Sequence, residues 1–247
     1  MVFIIRLLMD EFCEMPEKQF MEDCMHKHVG ESFCFTHSEE AAGFAPLKYI
    51  VHSEKEDSDV PSQLLVMKCT EIDEPVMDGI AASQLWNCEN GPEILERCSY
   101  QIVATDMLAG GLDYRERAEM LVGFIEALAE MFPSCQAFVF DQSKKMFTRE
   151  DILSCQVPEE ERFIHYAVNV RFFRIEGTED MLVDTVGMDT LFMPDLQYHF
   201  HGYDPSRVVN HAYNLLSYMF DQNNPLKSGD TIDGGLSDKE EMWTVQY

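Results

Sequence analysis

The sequence predicts an α+β fold with a mainly antiparallel sheet, and three observations support this class. Residues 99–140 run through an apolar strand, a glycine turn, an amphipathic helix and a second apolar strand. Residues 163–185 hold two strand-like runs on either side of Glu176 and Gly177, which is typical of a hairpin. Asp204, followed by proline, precedes a second amphipathic helix. Strands and helices therefore follow one another at short intervals along the chain.

The first hundred residues begin with a buried strand inside residues 1–12, followed by a helix over 16–28. Residues 30–45 are polar and predict a loop. Two further strands are expected at 47–52 and 63–70, and the charged segment between them suits a hairpin connection.

A helical stretch within residues 78–97 and a strand at 100–105 complete this part of the chain. The resulting order, β-α-β-β-α-β, is the split β-α-β arrangement of ferredoxin-like folds. We therefore expect an N-terminal half over residues 1–98.

The central helix has start and stop signals in the sequence. Asp113 stands at the N-cap position with Glu116 three residues later, and Pro133 ends the helix. This predicts a helix over 114–132, followed by a strand at 137–140. The apolar positions recur at helical spacing: Ala118, Leu121, Val122, Ile125, Leu128, Ala129 and Phe132.

The C-terminal half is expected over residues 99–247. After the hairpin come a strand at 197–201, a helix over 205–221 and a terminal strand at 242–247. The prediction is thus two packed ferredoxin-like halves, with one continuous sheet through both as the alternative.

The composition is strongly acidic. The 247 residues include 45 Asp and Glu but 18 Lys and Arg, a formal net charge of −27, and the excess is spread over both halves. Such a surface repels nucleic acid backbones and anionic membranes, and it attracts cationic partners. We therefore expect no nucleic acid and no membrane partner, but another protein, for which a basic one fits the charge.

The eight cysteines form no C-x-x-C pair, and most stand among apolar neighbours. Reduced thiols are expected, which favours a cytoplasmic location. The N-terminal stretch is interrupted by Arg6 and followed by Asp10 and Glu11, so it predicts a strand rather than a signal peptide.

Several short motifs in the second half are shared with a known family. They are N-V-R-x-F at Asn169 to Phe173, D-T-x-G at Asp184 to Gly187, Met193-Pro194-Asp195, H-F-x-G at His199 to Gly202, the Asp204-Pro205 helix start, and Thr105 to Tyr114 upstream. On these motifs, roughly residues 98–235 resemble the bacterial domain-of-unknown-function family 4261. The resemblance implies a small cytoplasmic bacterial protein and no established activity.

The histidine pair His199 and His201 is the first candidate site. Residues two apart on a strand point to the same face, so both imidazoles could meet one ion. Asp184, Asp195 and Asp204 are the carboxylates expected nearby. Because two histidines alone make a weak site, no cofactor is expected, and a divalent metal is the alternative.

A second candidate is a polar cluster made of Asn169, Arg171, Asp184, Thr185, Asp195 and His199. An arginine–aspartate pair on neighbouring strands is compatible with an active-site network, but we favour a structural ion pair. The turn between Asp106 and Asp113 holds two glycines, yet the aspartates would repel a phosphate, so we expect a simple turn and cap.

The leading functional hypothesis is a non-catalytic cytoplasmic module that binds another protein. It rests on the acidic surface and on the lack of a complete catalytic motif in the sequence. One alternative is a metal-dependent hydrolase that uses His199 and His201 with nearby aspartates. Another is the binding of a small ligand in a cleft between the halves.

Overall fold

The computed structural model describes residues 2–53, 58–234 and 242–246. The helices are α1 (Lys18–His28), α2 (Gly79–Ala82), α3 (Gly91–Arg97), α4 (Tyr114–Met131), α5 (Arg149–Leu153), α6 (Arg162–Ala167) and α7 (Pro205–Asp221). The strands are β1 (Ile4–Met9), β2 (Ser32–His37), β3 (Ala41–Pro46), β4 (Ile50–Ser53), β5 (Ser58–Pro61), β6 (Gln63–Met67), β7 (Thr70–Glu71), β8 (Tyr100–Met107), β9 (Ala137–Phe140), β10 (Lys145–Thr148), β11 (Asn169–Arg174), β12 (Met181–Val186), β13 (Gln197–Phe200), β14 (Thr231–Asp233) and β15 (Met242–Thr244).

The α+β class is confirmed, and the pairing of the strands is mainly antiparallel. The chain divides into two compact units, Met1–Ala167 and Val168–Tyr247. The sequence predicted the division between residues 98 and 99, but β8 lies after that point, and all six residues of β1 pair with it. Because paired strands belong to one sheet, residues 99–167 lie in the first unit.

An eight-stranded sheet in the order β10-β9-β1-β8-β6-β3-β2, with β7 beside β8, forms the centre of the first unit. β1 pairs antiparallel with β8 on one side and with β9 on the other. β8 and β9 therefore run parallel to each other, and α4 connects them across the strand that lies between.

Ferredoxin-like halves are not confirmed. A split β-α-β unit is present, but it consists of β8, α4 and β9 around β1 rather than of residues 1–105. The three-stranded sheet β11-β12-β13 is separate from the large sheet, so one continuous sheet is not confirmed either.

The two faces of the large sheet are covered differently. Ile5, Leu7, Ile102 and Ala104 are buried on the face that carries α4. On the other face, the β1–β9–β10 part is covered by residues 72–98. The side chains buried between this segment and the sheet form one apolar cluster. Its buried members are Leu8, Met77, Cys88, Ile94, Cys98, Ala137, Val139 and Met146.

Helices α1 and α4 lie close together because Gly123 has no side chain. A Cβ at this position would stand 2.4 Å from the carbonyl oxygen of His28 at the end of α1. Since backbone cannot yield as a flexible side chain does, a larger residue would force the two helices apart.

Three predictions for the first unit and the start of the second are wrong. The expected loop over 30–45 contains the paired strands β2 and β3. The expected hairpin between 47–52 and 63–70 does not form, since β4 pairs with β5 while β6 pairs with β3 and β8. The predicted strand beginning at Phe163 is helix α6 up to Ala167, because a short apolar run does not by itself distinguish helix from strand.

The second unit packs α7 against β11 and β12. Alternate residues of the sheet, including Val183, Tyr198 and Phe200, are buried, as are Val208 and Leu216 of the helix. The helices predicted over 16–28, 114–132 and 205–221 are confirmed within two residues at each end. Within the predicted terminal strand, β15 pairs with β14.

All eight cysteines are unpaired, as predicted, and six of them are buried. Among the described helices, we find none whose length and apolar character would let it cross a membrane.

Candidate functional site

The sheet β11-β12-β13 brings the predicted polar residues together. Arg171 lies opposite Asp184, which in turn lies opposite Gln197 on β13. His199 lies opposite Leu182 on the same face. Asn169 is buried two residues before Arg171.

Arg171 and Asp184 form a two-point ion pair. Nε and Nη2 of Arg171 donate to the two carboxylate oxygens of Asp184 at 2.8 and 2.6 Å. The guanidinium carbon also lies 5.4 Å from the ring centre of Phe173. The guanidinium and the carboxylate are half-buried and neutralise each other, so the pair has the geometry of a structural link between two strands.

Thr185 and Asp195 belong to a second network. The Thr185 hydroxyl donates to Asp195 Oδ1 at 2.9 Å and accepts from the Leu196 amide at 2.7 Å. The amides of Gly187 and Met188 also donate to the Asp195 carboxylate, each at 3.3 Å. Gly187 has φ 128, which favours glycine. Asp195 thus fastens the turn that follows β12.

Burial raises the pKa of Asp195, against the three hydrogen bonds, which act to lower it. The charge of Asp189 adds to the increase. Oδ1 of Asp189 is itself buried without a hydrogen-bond partner among the described residues. The turn therefore places a second carboxylate close to Asp195.

His199 and His201 both face Asp180, a residue that the sequence analysis missed. Asp180 Oδ2 lies 3.3 Å from His199 Nε2, and Asp180 Oδ1 lies 3.7 Å from His201 Nδ1. The register contains the signal for this contact, because Met181 pairs with Phe200 and the residues just outside that pair are Asp180 and His201.

The predicted alternation along β13 is confirmed. Tyr198 and Phe200 are buried, whereas Gln197 and His199 are exposed. The predicted metal ligands Asp184 and Asp195 are each engaged elsewhere. No group of three or more His, Cys, Asp or Glu side chains suited to a metal ion is found in the described ranges.

The most buried ion pair among the described residues lies in the first unit, next to the turn where only a cap was expected. Nε and Nη2 of Arg117 donate to Asp106 Oδ2 at 3.0 and 2.7 Å. The Phe3 amide donates to Asp106 Oδ1 at 2.6 Å. This links β1, β8 and α4. The predicted cap is confirmed as well, since the Asp113 carboxylate accepts from the Arg115 amide.

Lys145 on β10 is fully buried, which lowers its pKa to about 7. Its Nζ lies 5.4 Å from the ring centre of Phe147. Burial, together with the charge of Lys145, lowers the pKa of His165 to about 4. Neither residue is part of a recognised motif, so sequence patterns gave no signal for them.

The buried thiols are unreactive because burial disfavours their charged form as well. Burial raises the pKa of Cys24, Cys88 and Cys98 to about 11. Since the thiolate is the nucleophile, these side chains act as small apolar residues of the core.

An acidic groove opens at the edge of the first unit. Residues 71–77 form one side, and Leu8, Leu95 and Tyr100 contribute to the other, enclosing about 530 Å³. Its carboxylates are those of Glu71, Asp73 and Glu74, which are exposed and form no ion pair with another described residue. The groove thus combines unpaired negative charge with an apolar wall.

Taken together, the fold and these sites define an α+β protein of two units in which Arg171, Asp184, Thr185 and Asp195 of the candidate polar cluster bond to one another or to the backbone. Residues 184–247 match the family model described as Domain of unknown function (DUF4261). The resemblance is confirmed over these residues, and the motifs at Thr105 to Tyr114 and Asn169 to Phe173 lie outside the match. Neither a curated protein nor a solved structure matches the chain.

Proposed function

We propose that this protein is a non-catalytic cytoplasmic module that binds a basic segment of another protein in the acidic groove. The observation that carries this proposal is the groove itself, where Glu71, Asp73 and Glu74 stand unpaired beside apolar side chains. Lysine and arginine match such a surface, because their aliphatic stems pack on apolar walls while the charged ends meet carboxylates.

The rest of the molecule supports a binding role. The net charge of −27 attracts a basic partner from a distance and speeds the encounter. The ring of Phe12, which is exposed, lies edge-on to Tyr100 with 6.1 Å between centres, and this extends the apolar surface beside the groove. The eight unpaired thiols fit a reducing compartment, which supports the cytoplasmic location.

The test uses a fluorescent extended peptide of alternating lysine and leucine as the probe, with a glutamate–leucine peptide for comparison. We expect the triple variant Glu71→Gln/Asp73→Asn/Glu74→Gln to bind the lysine peptide about tenfold more weakly than the wild type. Fluorescence anisotropy at several salt concentrations measures the change.

A matched control is available in the same unit. Glu159, Glu160 and Glu161 are consecutive, exposed and outside the groove, so changing all three to glutamine removes the same charge. The control variant should keep nearly wild-type affinity. Equal weakening in both triple variants would show that only the overall charge matters, and the proposal would fail.

A metal-dependent hydrolase is the second candidate, and one observation favours it. Nε2 of His199 and Nδ1 of His201 lie 3.3 and 3.7 Å from the two carboxylate oxygens of Asp180. As they stand, the described residues form no three-membered group suited to a metal ion, so these three side chains would have to rearrange around one. Zinc titration by calorimetry tests this candidate directly. Stoichiometric binding that disappears in His199→Ala/His201→Ala would support it over the binding module.

A further inference from the structure

One face of the large sheet is left open where the strands β2, β3, β6 and β8 lie side by side. The outward residues of β6 alternate with buried Leu64 and Val66, and those of β8 alternate with buried Ile102 and Ala104. We call this surface the open face. Its members are Phe33, Phe35, Thr36, Ala41, Gly43, Ala45, Gln63, Leu65, Met67, Gln101, Val103, Thr105 and Met107.

The open face is apolar and carries no charged side chain, in a chain with 45 acidic residues. Phe33 is 62% exposed and Met67 44% exposed. The ring of Phe35 lies over Gly43, where a Cβ would approach it within 2.5 Å. An exposed apolar surface that acidic residues avoid is typical of an interaction site.

The borders of the open face set the size of what it can hold. On the β1 side, Arg6 lies opposite Val103 and is held by Asp141 and Gln101. The four strands span three inter-strand spacings, which is about 14 Å. A single α-helix with side chains is about 10–12 Å wide. One helix therefore fits across the strip between Arg6 and the outer edge of β2.

One end of the open face carries negative charge. Asp10 and Glu11 follow β1, Glu39 and Glu40 form the turn after β2, and Glu71 ends β7. These elements end or begin at the same edge because the strands between them are antiparallel. We call this edge the acidic rim. Two of its carboxylates are already paired, Glu40 with Lys68 at 2.7 Å and Asp10 with Arg97 at 3.9 Å. Through Glu11, Glu39 and Glu71, the acidic rim favours positive charge at one end of whatever covers the apolar strip.

We propose that the open face docks one amphipathic helix of the partner protein, with its apolar stripe on the Phe33, Phe35 and Met67 side chains and its basic residues over the acidic rim. This inference rests on the proposed function and names a second element of the same partner. Packing of a helix on the open face would bury its exposed rings, in the same way that α4 covers apolar residues on the opposite face of the sheet.

The probe is a lysine–leucine peptide of about 18 residues, with all leucines on one helical face. A scrambled peptide of identical composition lacks that face and has the same charge. We expect the wild type to bind the amphipathic peptide at least about tenfold more tightly than the scrambled one. Hydrogen exchange should slow in β2 and β6 when the amphipathic peptide is bound.

The variant Phe33→Ser/Met67→Ser should bind both peptides equally. Its matched control is Ile80→Ser/Leu153→Ser, which changes two apolar residues of similar exposure outside the open face and should keep the preference. Circular dichroism verifies that both variants are folded. Should Phe33→Ser/Met67→Ser unfold, hydrogen exchange on the wild type alone decides the question.

Three outcomes would overturn the inference: a wild type without preference between the peptides, a preference that survives Phe33→Ser/Met67→Ser, or a wild-type dimer that this variant dissociates. The last would make a second copy the occupant. The groove is tested separately, because Phe33→Ser/Met67→Ser leaves Glu71, Asp73 and Glu74 intact. If the open face fails and the groove holds, the extended lysine peptide still binds.

Discussion

Asp180 connects two histidines that extend outward from the second unit. The side chains of His199 and His201 are 60% and 78% exposed, so each contact with Asp180 is made largely in solvent. Exposed ion pairs contribute little to folding. Arg171 and Asp184, which are half-buried and joined at two points, contribute more to the same sheet.

Changing both histidines, in His199→Ala/His201→Ala, should leave the free energy of unfolding within about 1 kcal/mol of the wild type. The reason is that the buried face of β13 consists of Tyr198 and Phe200, which the variant keeps. Urea unfolding followed by circular dichroism gives the value. A loss of several kcal/mol would assign the histidines a structural role.

The ion pair of Arg117 and Asp106 should contribute more to stability than the exposed histidine contacts, because both of its side chains are only 1% exposed. Asp106→Ala removes the carboxylate beside Arg117 and leaves a buried guanidinium without this counter-charge. We expect a loss of about 3–5 kcal/mol in the free energy of unfolding. Asp184→Ala, at the half-buried pair, is the comparison and should cost less. Equal losses at the two sites would contradict the assignment of burial as the cause.

Lys145 makes the free energy of unfolding depend on pH in the alkaline range. Burial lowers its folded-state pKa from 10.5 to about 7, so between these values the unfolded chain binds the proton more readily. The contribution of Lys145 therefore increases stability as pH rises from about 7 towards 10.5. The variant Lys145→Met removes this dependence.

Urea unfolding of the wild type and Lys145→Met at pH 7, 8.5 and 10 separates this effect from the other titrating groups, which both proteins share. The advantage of the methionine variant should be largest at pH 7 and should shrink as pH rises. A difference that stays constant with pH would mean that Lys145 keeps its usual pKa in the folded protein.

At the scale of elements, helix starts were predictable because their signals are local. Asp204 accepts a hydrogen bond from the Ser206 amide, and Pro205 occupies the first turn of α7. Asp113 does the same for α4. A cap needs only residues within three positions, all of which the sequence shows directly.

The cap of α7 gives a direct test. Asp204→Ala should lower the free energy of unfolding by about 1 kcal/mol, because the Ser206 amide loses its acceptor. Asp204→Asn retains a side-chain oxygen and should remain close to the wild type. Thermal unfolding of the three proteins provides the comparison. If the asparagine variant loses as much as the alanine variant, charge at the helix end matters more than the hydrogen bond.

Strand pairing was less predictable, since partners lie far apart in sequence. β3 contains Gly43 and three alanines, whose β propensity is low, and it is a strand because it pairs with β2 on one side and with β6 on the other. Similarly, Asp180 meets the histidines only through the register of β12 and β13. Single residues of the candidate site were thus predictable, whereas their contacts depended on tertiary pairing.

For the whole molecule, charge is the dominant property. A net charge of −27 places many carboxylates within a screening length of one another, which opposes the compact state. The two units share this excess. The repulsion between carboxylates therefore lowers the stability of the whole molecule rather than of one site.

Raising sodium chloride from about 0.02 M to about 0.3 M should increase the midpoint of thermal unfolding, because screening reduces the repulsion. Sodium sulfate at the same ionic strength distinguishes screening from the exclusion of salt from the protein surface. Similar increases with both salts indicate screening. An unchanged midpoint in chloride would show that the carboxylates are too well separated to destabilise the fold.

The position of β1 between β8 and β9 has a consequence for synthesis on the ribosome. The amide of Phe3 bonds to Asp106, 103 residues later, and that of Ile4 bonds to Gln142, 138 residues later. At cellular rates of elongation, the apolar segment Ile4–Met9 leaves the ribosome on the order of ten seconds before its second partner strand is made. During that time the nascent chain presents an unpaired apolar strand to chaperones, and a chain released before β9 is made cannot bury both of its edges.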